Sequence, residues 1–400
     1  MAEREIEFLI VGGGDAGFSA ARTLREEGAD GSVLVVSRDP DPPYDRTAVS
    51  KGYLGGEKPR SEVLLGGENW FTENNVELLT RTSAMKLDTE AHSVTLSNKD
   101  VIRYGKLLLA TGANVRRLRI EGADLNGIHY LRALGNADAI RDDAKGEVVL
   151  VGGSYIATEV AATLTSMGRK CSLVMLENVT LERTFGKTAG AFFQKALTEH
   201  GVDVYPGEEV ERFEGQGRVS AVVTRSGKRI SADAVIVGVG VTPDVSLAKK
   251  AGLELGEAGG VLTDAKLATS AVDVFAAGDI AEYDSVVHGR RVRIEHWDVA
   301  ENQGKTAARS MLGHTDPHDV VPYFFSDLSD WTWFEYVGPA YTWTEEVVRG
   351  SVDEGQFTVW YLDGDRLAGA LSVDRSDDLD RARELIKSRE PVDREELGQT

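Results

Sequence analysis

With 400 residues, of which 42% are hydrophobic and 28% charged, the chain is too long for one core and too apolar for a disordered polymer, so two or three globular domains are expected. Its 65 acidic and 45 basic residues leave a net charge of −20, a field that repels phosphate backbones and argues against nucleic-acid binding. The one cysteine, Cys171, excludes an internal disulfide and any cluster held by several thiolates of this chain.

The first apolar run, Phe8–Leu9–Ile10–Val11, is far too short to span a bilayer, and no basic-then-apolar leader precedes it, so a cytoplasmic protein with no membrane partner is expected. It enters Gly12–Gly13–Gly14–Asp15–Ala16–Gly17, and the pattern predicts a helix over Ala16–Glu27 and a βαβ unit over Glu7–Asp39. Gly12 permits a tight turn, Gly14 lets backbone approach a pyrophosphate, and Gly17 lets helix pack on strand. The helix N-terminus supplies unpaired N–H groups and a positive dipole end. Asp39, about 20 residues beyond, suits ribose hydroxyls, while its neighbour Arg38 is expected to face solvent.

Tyr104–Gly112 reads as a strand running into the turn Ala110–Thr111–Gly112. A second βαβ unit follows over Glu147–Glu177, with the turn Gly152–Gly153–Ser154–Tyr155–Ile156–Ala157. Ser154 replaces the second glycine: its hydroxyl either donates to a pyrophosphate or its bulk loosens binding. Ala157 replaces the third. Glu177, about 20 residues further on, would bond a ribose diol and repel a 2′-phosphate, which favours NADH over NADPH. Cys171 lies in a predicted buried strand as a small core residue. Apolar runs at Ala234–Val241 and Asp273–Ala277 predict further strands, the latter ending in Gly278–Asp279. Beyond Pro322 aromatic residues crowd together. The alternation Phe357–Thr358–Val359–Trp360–Tyr361–Leu362 predicts an antiparallel strand, and a charged helix is expected from Asp378 to Ser388.

Several segments in order carry a resemblance: Pro43–Tyr44–Asp45–Arg46 with Ser50–Lys51, Ala110–Thr111–Gly112, Val274–Phe275–Ala276–Ala277–Gly278–Asp279, and Glu295–His296–Trp297 leading to Asn302–Gln303–Gly304. Across nearly its whole length the chain resembles the flavoprotein ferredoxin reductases of Rieske oxygenase and cytochrome P450 systems, together with the apoptosis-inducing-factor relatives. The resemblance implies an α/β fold with two dinucleotide-binding, Rossmann-like domains of glutathione-reductase type and a C-terminal α+β domain. The expected division is a discontinuous FAD-binding domain at 1–115 and 236–318, an NAD-binding domain at 116–235 and a β-rich domain at 319–400.

FAD and NAD(H) are the implied cofactors, with no metal held by this chain. The implied FAD contacts are Gly12, Gly14, Ala16, Gly17, Asp39, Arg46, Lys51, Thr82, Ala110, Thr111, Gly112, Gly278, Asp279, Glu295, His296 and Trp297. The implied NAD contacts are Gly152, Gly153, Ser154, Tyr155, Ile156, Glu159, Glu177, Arg183, Gly238 and Gly240. The resemblance places Lys51 beside the flavin in an ion pair with Glu159, and counts Lys51, Glu159, Glu295 and His296 as catalytic. His296 is either a packed, hydrogen-bonded histidine with no part in proton transfer or a proton carrier.

Departures from the pattern are informative. Thr47–Ala48–Val49 replaces a Pro-Pro-Leu run, and Tyr323 and Phe325 stand where many ferredoxin reductases carry tryptophans. Glu301 and Phe325 stand where monodehydroascorbate reductases carry an Arg and a Tyr, which disfavours an ascorbate-like anion. NADH would give hydride from C4 to flavin N5, and with one cysteine the electrons must leave the chain. The expected acceptor is a [2Fe–2S] ferredoxin, docked on Arg116–Arg117–Arg119 or Arg290–Arg291–Arg293. Alternatives are a quinone acceptor or a slow, redox-sensing interaction protein, and the assembly expected is a monomer or homodimer.

Overall fold

A computed structural model describes residues 3–399. In chain order, β1 (Glu3–Val11), α1 (Asp15–Glu26), β2 (Val33–Val36), β3 (Val76–Leu79) and β4 (Val101–Leu109) form the first βα assembly. A second contains β5 (Glu147–Val151), α2 (Tyr155–Ser166), β6 (Lys170–Val174), α3 (Glu182–Glu199), β7 (Asp203–Tyr205) and β8 (Ala234–Val237). Next come β9 (Val274–Ala276) and α4 (Trp297–Met311). The last region holds β10 (Tyr323–Leu328), β11 (Thr332–Val337), β12 (Glu345–Ser351), β13 (Gln356–Asp363), β14 (Arg366–Val373) and α5 (Asp377–Ser388).

The chain divides into two compact units: Met1–Arg46 with Arg60–Asn114 and Thr242–Pro322, and Thr47–Pro59 with Val115–Val241 and Tyr323–Thr400. In the first unit β3, β2, β1 and β4 run parallel in that order, and β9 adds to β4. Val11 pairs with both Val36 and Leu109, and Leu109 with Ala276. The parallel strands therefore end level, and Gly12, Ala110 and Ala277 all leave the sheet at one edge. Such an edge is where open α/β sheets bind ligands. Both faces are covered, so β2 is a continuous apolar run, Val33–Val36, with every side chain buried. One face packs Phe18, Leu24 and Ala308 against Phe8, Ile10 and Val35; the other buries Leu9, Leu34 and Leu107.

The second unit repeats this plan in the order β7–β6–β5–β8, with Val151 level with Val174 and Val237. The expected strand Ala234–Val241 is broken. β8 stops at Val237, and a short strand resumes at Val241–Pro243 after Gly240 turns at φ +93°. The first helix opens at Asp15 rather than Ala16.

The same unit holds a five-stranded antiparallel sheet, β10–β11–β14–β13–β12, with α5 packed on it. The antiparallel strand expected at Phe357–Leu362 is present as part of β13, with all six residues buried. The reason is cover on both sides. Thr358 donates to Asp378 of α5 at 2.6 Å, while Phe357 meets Phe192 and Tyr361 donates to the Phe185 carbonyl of α3. Among the described residues no helix is long and apolar enough to cross a membrane.

Candidate active site and cofactor cradles

In the first unit, elementary sterics select the glycines of the Gly12–Gly17 turn. A side chain at Gly12 would collide with the Ala110 carbonyl, and one at Gly17 with the Gly12 carbonyl. Gly14 is different: a Cβ there meets only Arg46 Nε, 4.0 Å away. The missing side chain thus leaves an open cradle above the α1 N-terminus, with a guanidinium at its rim. Arg46 lies over the Tyr44 ring at 4.9 Å and 3.6 Å from Asp39 Oδ2, and Tyr44 donates to Asp39 at 2.9 Å. Asp39 also accepts the Asp41 N–H, which fixes its carboxylate at the end of β2. Arg38 does not reach toward that carboxylate; it pairs with Asp244 at 2.9 Å and Asn114 at 2.6 Å.

Around the same edge, Gly278 (φ +76°) donates its N–H to buried Gln303 at 2.8 Å, and a side chain on it would press on Ala16. Gly304 lets α4 close on the Ala16 carbonyl in the same way. Thr111 spends its hydroxyl on the Asp244 carbonyl, and Gly112 accepts the Asp244 N–H. Thr82 donates its N–H to the Ser37 carbonyl and its hydroxyl to Thr80, so both are turn-forming residues. Glu295 is exposed and bound by Arg293 at 2.5 Å, whose guanidinium also bonds the Asp279 carbonyl. Trp297 opens α4. Crowding by protein lowers the His296 imidazole to about 4, only partly opposed by Asp279.

The second unit has its own cradle. A side chain at Gly152 would collide with the Gly238 carbonyl, and one at Gly153 would lie 2.9 Å from Glu177 Oε2. Glu177 therefore folds back over the turn, where Arg183 pairs with it at 2.7 Å. The third glycine is dispensable here for a visible reason. Ala157, fully buried, faces Gly238, whose own absent Cβ would sit 3.2 Å from the Ala157 nitrogen. Ser154 caps α2 by position but its side chain makes no cap bond and is exposed, so it neither fills the turn nor is consumed by it. Ile156 is exposed beside it. Gly240 accepts the Arg116 N–H at 3.0 Å, and the Arg116 guanidinium bonds the Val241 carbonyl. Tyr155 turns its ring into an aromatic cluster, 5.3 Å from Phe324 and 6.0 Å from Phe185.

Lys51 and Glu159 meet as an ion pair, Nζ to Oε1 3.4 Å. Sequence reasoning missed their company. Asp327 approaches Lys51 at 3.3 Å, and Phe325 lies 5.1 Å beneath the ammonium. Glu159, 8% exposed, accepts the Ser50 hydroxyl at one oxygen and the Ser326 hydroxyl at the other, each at 2.5 Å. Burying a carboxyl group is costly, and such partners offset that cost. One signal was available: Phe324, Ser326 and Leu328 share the inward face of β10, and a serine in that register demands a polar partner.

These observations test the implied cofactors. Two glycine turns at level strand ends, one with Arg46 beside an unfilled cradle and one with Glu177 folded over it, fit two dinucleotides; the second acid suits an unphosphorylated ribose. Cys171 is buried in β6, and burial raises its thiol to about 11, which makes it inert. Of the basic clusters, Arg291 is held by Asp284 and Arg293 by Glu295. Arg116, Arg117 and Arg119 are exposed, Arg117 over Tyr130.

Comparison with known proteins identifies the family. The model of the pyridine nucleotide-disulphide oxidoreductases matches residues 6–304, and that of the reductase C-terminal domain matches 323–400. Rhodocoxin reductase of Rhodococcus erythropolis is 32% identical over 99% of this chain and 92% of its own length. The 5,5′-dehydrodivanillate O-demethylase ferredoxin reductase subunit of Sphingobium sp. is 35% identical, covering 98% and 95%. The crystal structure of the ferredoxin reductase for the CYP199A2 system of Rhodopseudomonas palustris superposes with a TM-score of 0.93 at 32% identity, covering 98% of this chain and 97% of that one. The chain belongs to the pyridine nucleotide-disulphide oxidoreductase family, as an FAD- and NAD(H)-dependent oxidoreductase that carries the reductase C-terminal domain.

Proposed function

We propose that the protein is an NADH-dependent ferredoxin reductase that delivers electrons to a [2Fe–2S] carrier of an oxygenase or P450 system. The observation that carries this reading is the pair of cradles together with a lone, inert cysteine: each cradle suits one dinucleotide, and the chain has no dithiol to receive the electrons. Relatives named as ferredoxin reductases match over nearly the full length.

In this reading Gly12, Gly14, Ala16, Gly17 and Arg46 hold the FAD diphosphate, and Asp39 takes its ribose. Thr82, Ala110, Thr111, Gly112, Gly278, Asp279, Glu295, His296 and Trp297 complete the FAD site. Bound flavin supplies the exchange between two-electron donors and one-electron acceptors. Gly152, Gly153, Ser154, Gly238 and Gly240 receive NADH, with Glu177 and Arg183 at its adenylate ribose. Glu159 and Lys51 are positioning residues: Ser50 and Ser326 fix Glu159, and Glu159 with Asp327 fixes the ammonium of Lys51. His296 stays neutral and orients rather than carries a proton. Arg116, Arg117 and Arg119 are the docking patch for an acidic carrier, because their charge is less cancelled than that of Arg291 and Arg293.

We read the chain as three domains divided near 115, 236 and 318, working as a monomer or homodimer in the cytoplasm, where NADH and a reduced thiol coexist. The test is NADH-driven cytochrome c reduction through a panel of [2Fe–2S] ferredoxins, with small quinones in parallel. A ferredoxin turned over faster than any quinone, with rates reduced at least tenfold by Lys51→Met, is expected. Quinone turnover far above every ferredoxin overturns the assignment.

A further inference from the structure

We propose that Asp327 sets the charge of the NADH site: it gives the Lys51 cluster one negative charge in excess, which favours the oxidised, cationic nicotinamide ring over the reduced, neutral one. This deepens, and rests on, the reading that NADH lies on the second unit with Lys51 and Glu159 positioned for its nicotinamide end.

Asp327 belongs to β10, whose alternation buries Phe324, Ser326 and Leu328 and leaves Tyr323, Phe325 and Asp327 on the opposite face. Lys51, Glu159 and β10 all lie in the second unit. The Lys51 ammonium sits 5.1 Å above the Phe325 ring, 3.3 Å from Asp327 Oδ2 and 3.4 Å from Glu159 Oε1. The two acids are not equivalent. Each oxygen of Glu159 accepts a serine hydroxyl at 2.5 Å, so Glu159 is held with or without the ammonium. Asp327 has no such support: among the described residues its carboxylate meets Lys51 alone. Asp378 of α5, in the same unit, shows what a structural acid looks like. It takes Arg349 at 2.8 Å, Arg375 at 3.0 Å and Thr358 at 2.6 Å, and so fastens α5 to the sheet. Asp327 fastens nothing comparable, although its side chain is only 28% exposed and its removal from water is costly.

Its contribution is charge. By formal count one ammonium stands between two carboxylates, and among the described residues neither carboxylate has a second cation within ion-pair distance. The side chains of Lys51 and Glu159 are 14% and 9% exposed, so water screens the surplus only in part. When a hydride, one proton with two electrons, leaves C4 for the flavin, the neutral dihydronicotinamide ring becomes a pyridinium cation. No other part of the coenzyme changes charge. A negative surplus beside the ring therefore binds the product form more tightly than the substrate form, and hydride donation is favoured by that difference.

Titration calorimetry on the oxidised holoenzyme compares NAD+ with tetrahydro-NAD, whose ring is neutral and gives up no hydride. Asp327→Asn should raise the Kd of NAD+ relative to that of the analogue by about three- to tenfold, and relax inhibition of NADH oxidation by NAD+ to the same degree. A merely structural loss would shift both Kd values together and leave their ratio. ADP-ribose, which lacks the nicotinamide, should bind wild type and variant alike. Lys51→Met enlarges the surplus and should move the ratio the opposite way. A ratio that Lys51→Met shifts and Asp327→Asn does not overturns the proposal while leaving the site in place. A ratio that neither substitution moves puts the nicotinamide away from this cluster, and the proposal falls with its premise.

Discussion

Glu159 is removed from water, and two serine hydroxyls and one ammonium take up its oxygens. Hydrogen bonds to a charged group contribute about 1.5–3 kcal/mol each, so Ser326→Ala should lower unfolding stability by roughly 1–2 kcal/mol in urea titration. Ser50→Ala should cost a similar amount. Because both hydroxyls serve one carboxylate, the double variant should lose more or less than the sum by at least about 0.5 kcal/mol; strict additivity would show that they act separately. Glu177 allows a sharper test of chemistry. Its carboxylate lies over the second turn, where a 2′-phosphate would meet it, so Glu177→Ala should narrow the preference for NADH over NADPH by roughly tenfold or more in kcat/KM. An unchanged ratio would remove Glu177 from coenzyme choice. Arg183, released from its pair with Glu177, is expected to favour the added phosphate.

At the scale of elements, the two βα turns were legible because glycine spacing reports backbone contact directly. Gly12 and Gly152 sit where any side chain would enter a neighbouring carbonyl, and that requirement is written in the sequence itself. The bend in α3 was not legible. Gly186 adopts φ +73° and ψ −170° inside the helix, and its absent side chain makes room for Glu346, which accepts the Trp343 indole N–H and the Thr188 hydroxyl. Nothing local in Phe185–Gly186–Lys187 announces a partner more than 150 residues away. Gly186→Ala combines a left-handed φ with a collision, and should cost about 1–3 kcal/mol. Differential scanning calorimetry checks it, and Glu346→Ala in the same chain should recover part of the loss. Strand β13 taught a similar lesson: alternation gave its register, but cover on both faces depends on α3 and α5, which no local pattern reveals.

At the scale of the whole molecule, the family's order of segments gave the architecture, while the partners around Lys51 came from a strand that follows it by some 275 residues. Long-range polar company of that kind is the part of a site that sequence spacing carries least. Global acid sensitivity is also a property of tertiary burial. His318 is 2% exposed, packed on Tyr283, and burial depresses its imidazole to about 4; His296 behaves alike. Both are neutral when folded and charge near 6.5 when unfolded, so the folded state binds fewer protons between these values. Stability should therefore be complete above about pH 6.5 and fall as pH drops toward 4. For His318 the loss should reach about 2–3 kcal/mol, and His318→Gln should flatten the slope of urea midpoint against pH in that window. An equally steep slope in the variant would assign the acid loss elsewhere.

The exchange of roles between Ala157 and Gly238 has a consequence for how such chains diverge. In the first turn the space needed where helix meets strand is reserved by a residue of the motif itself, Gly17. In the second it is reserved by a residue on the adjoining strand, far downstream, and the motif residue is released to grow by one methyl. Gly238→Ala should be tolerated poorly, because its Cβ would press on the backbone nitrogen of Ala157, a constraint outside the motif that a fingerprint confined to the turn does not register.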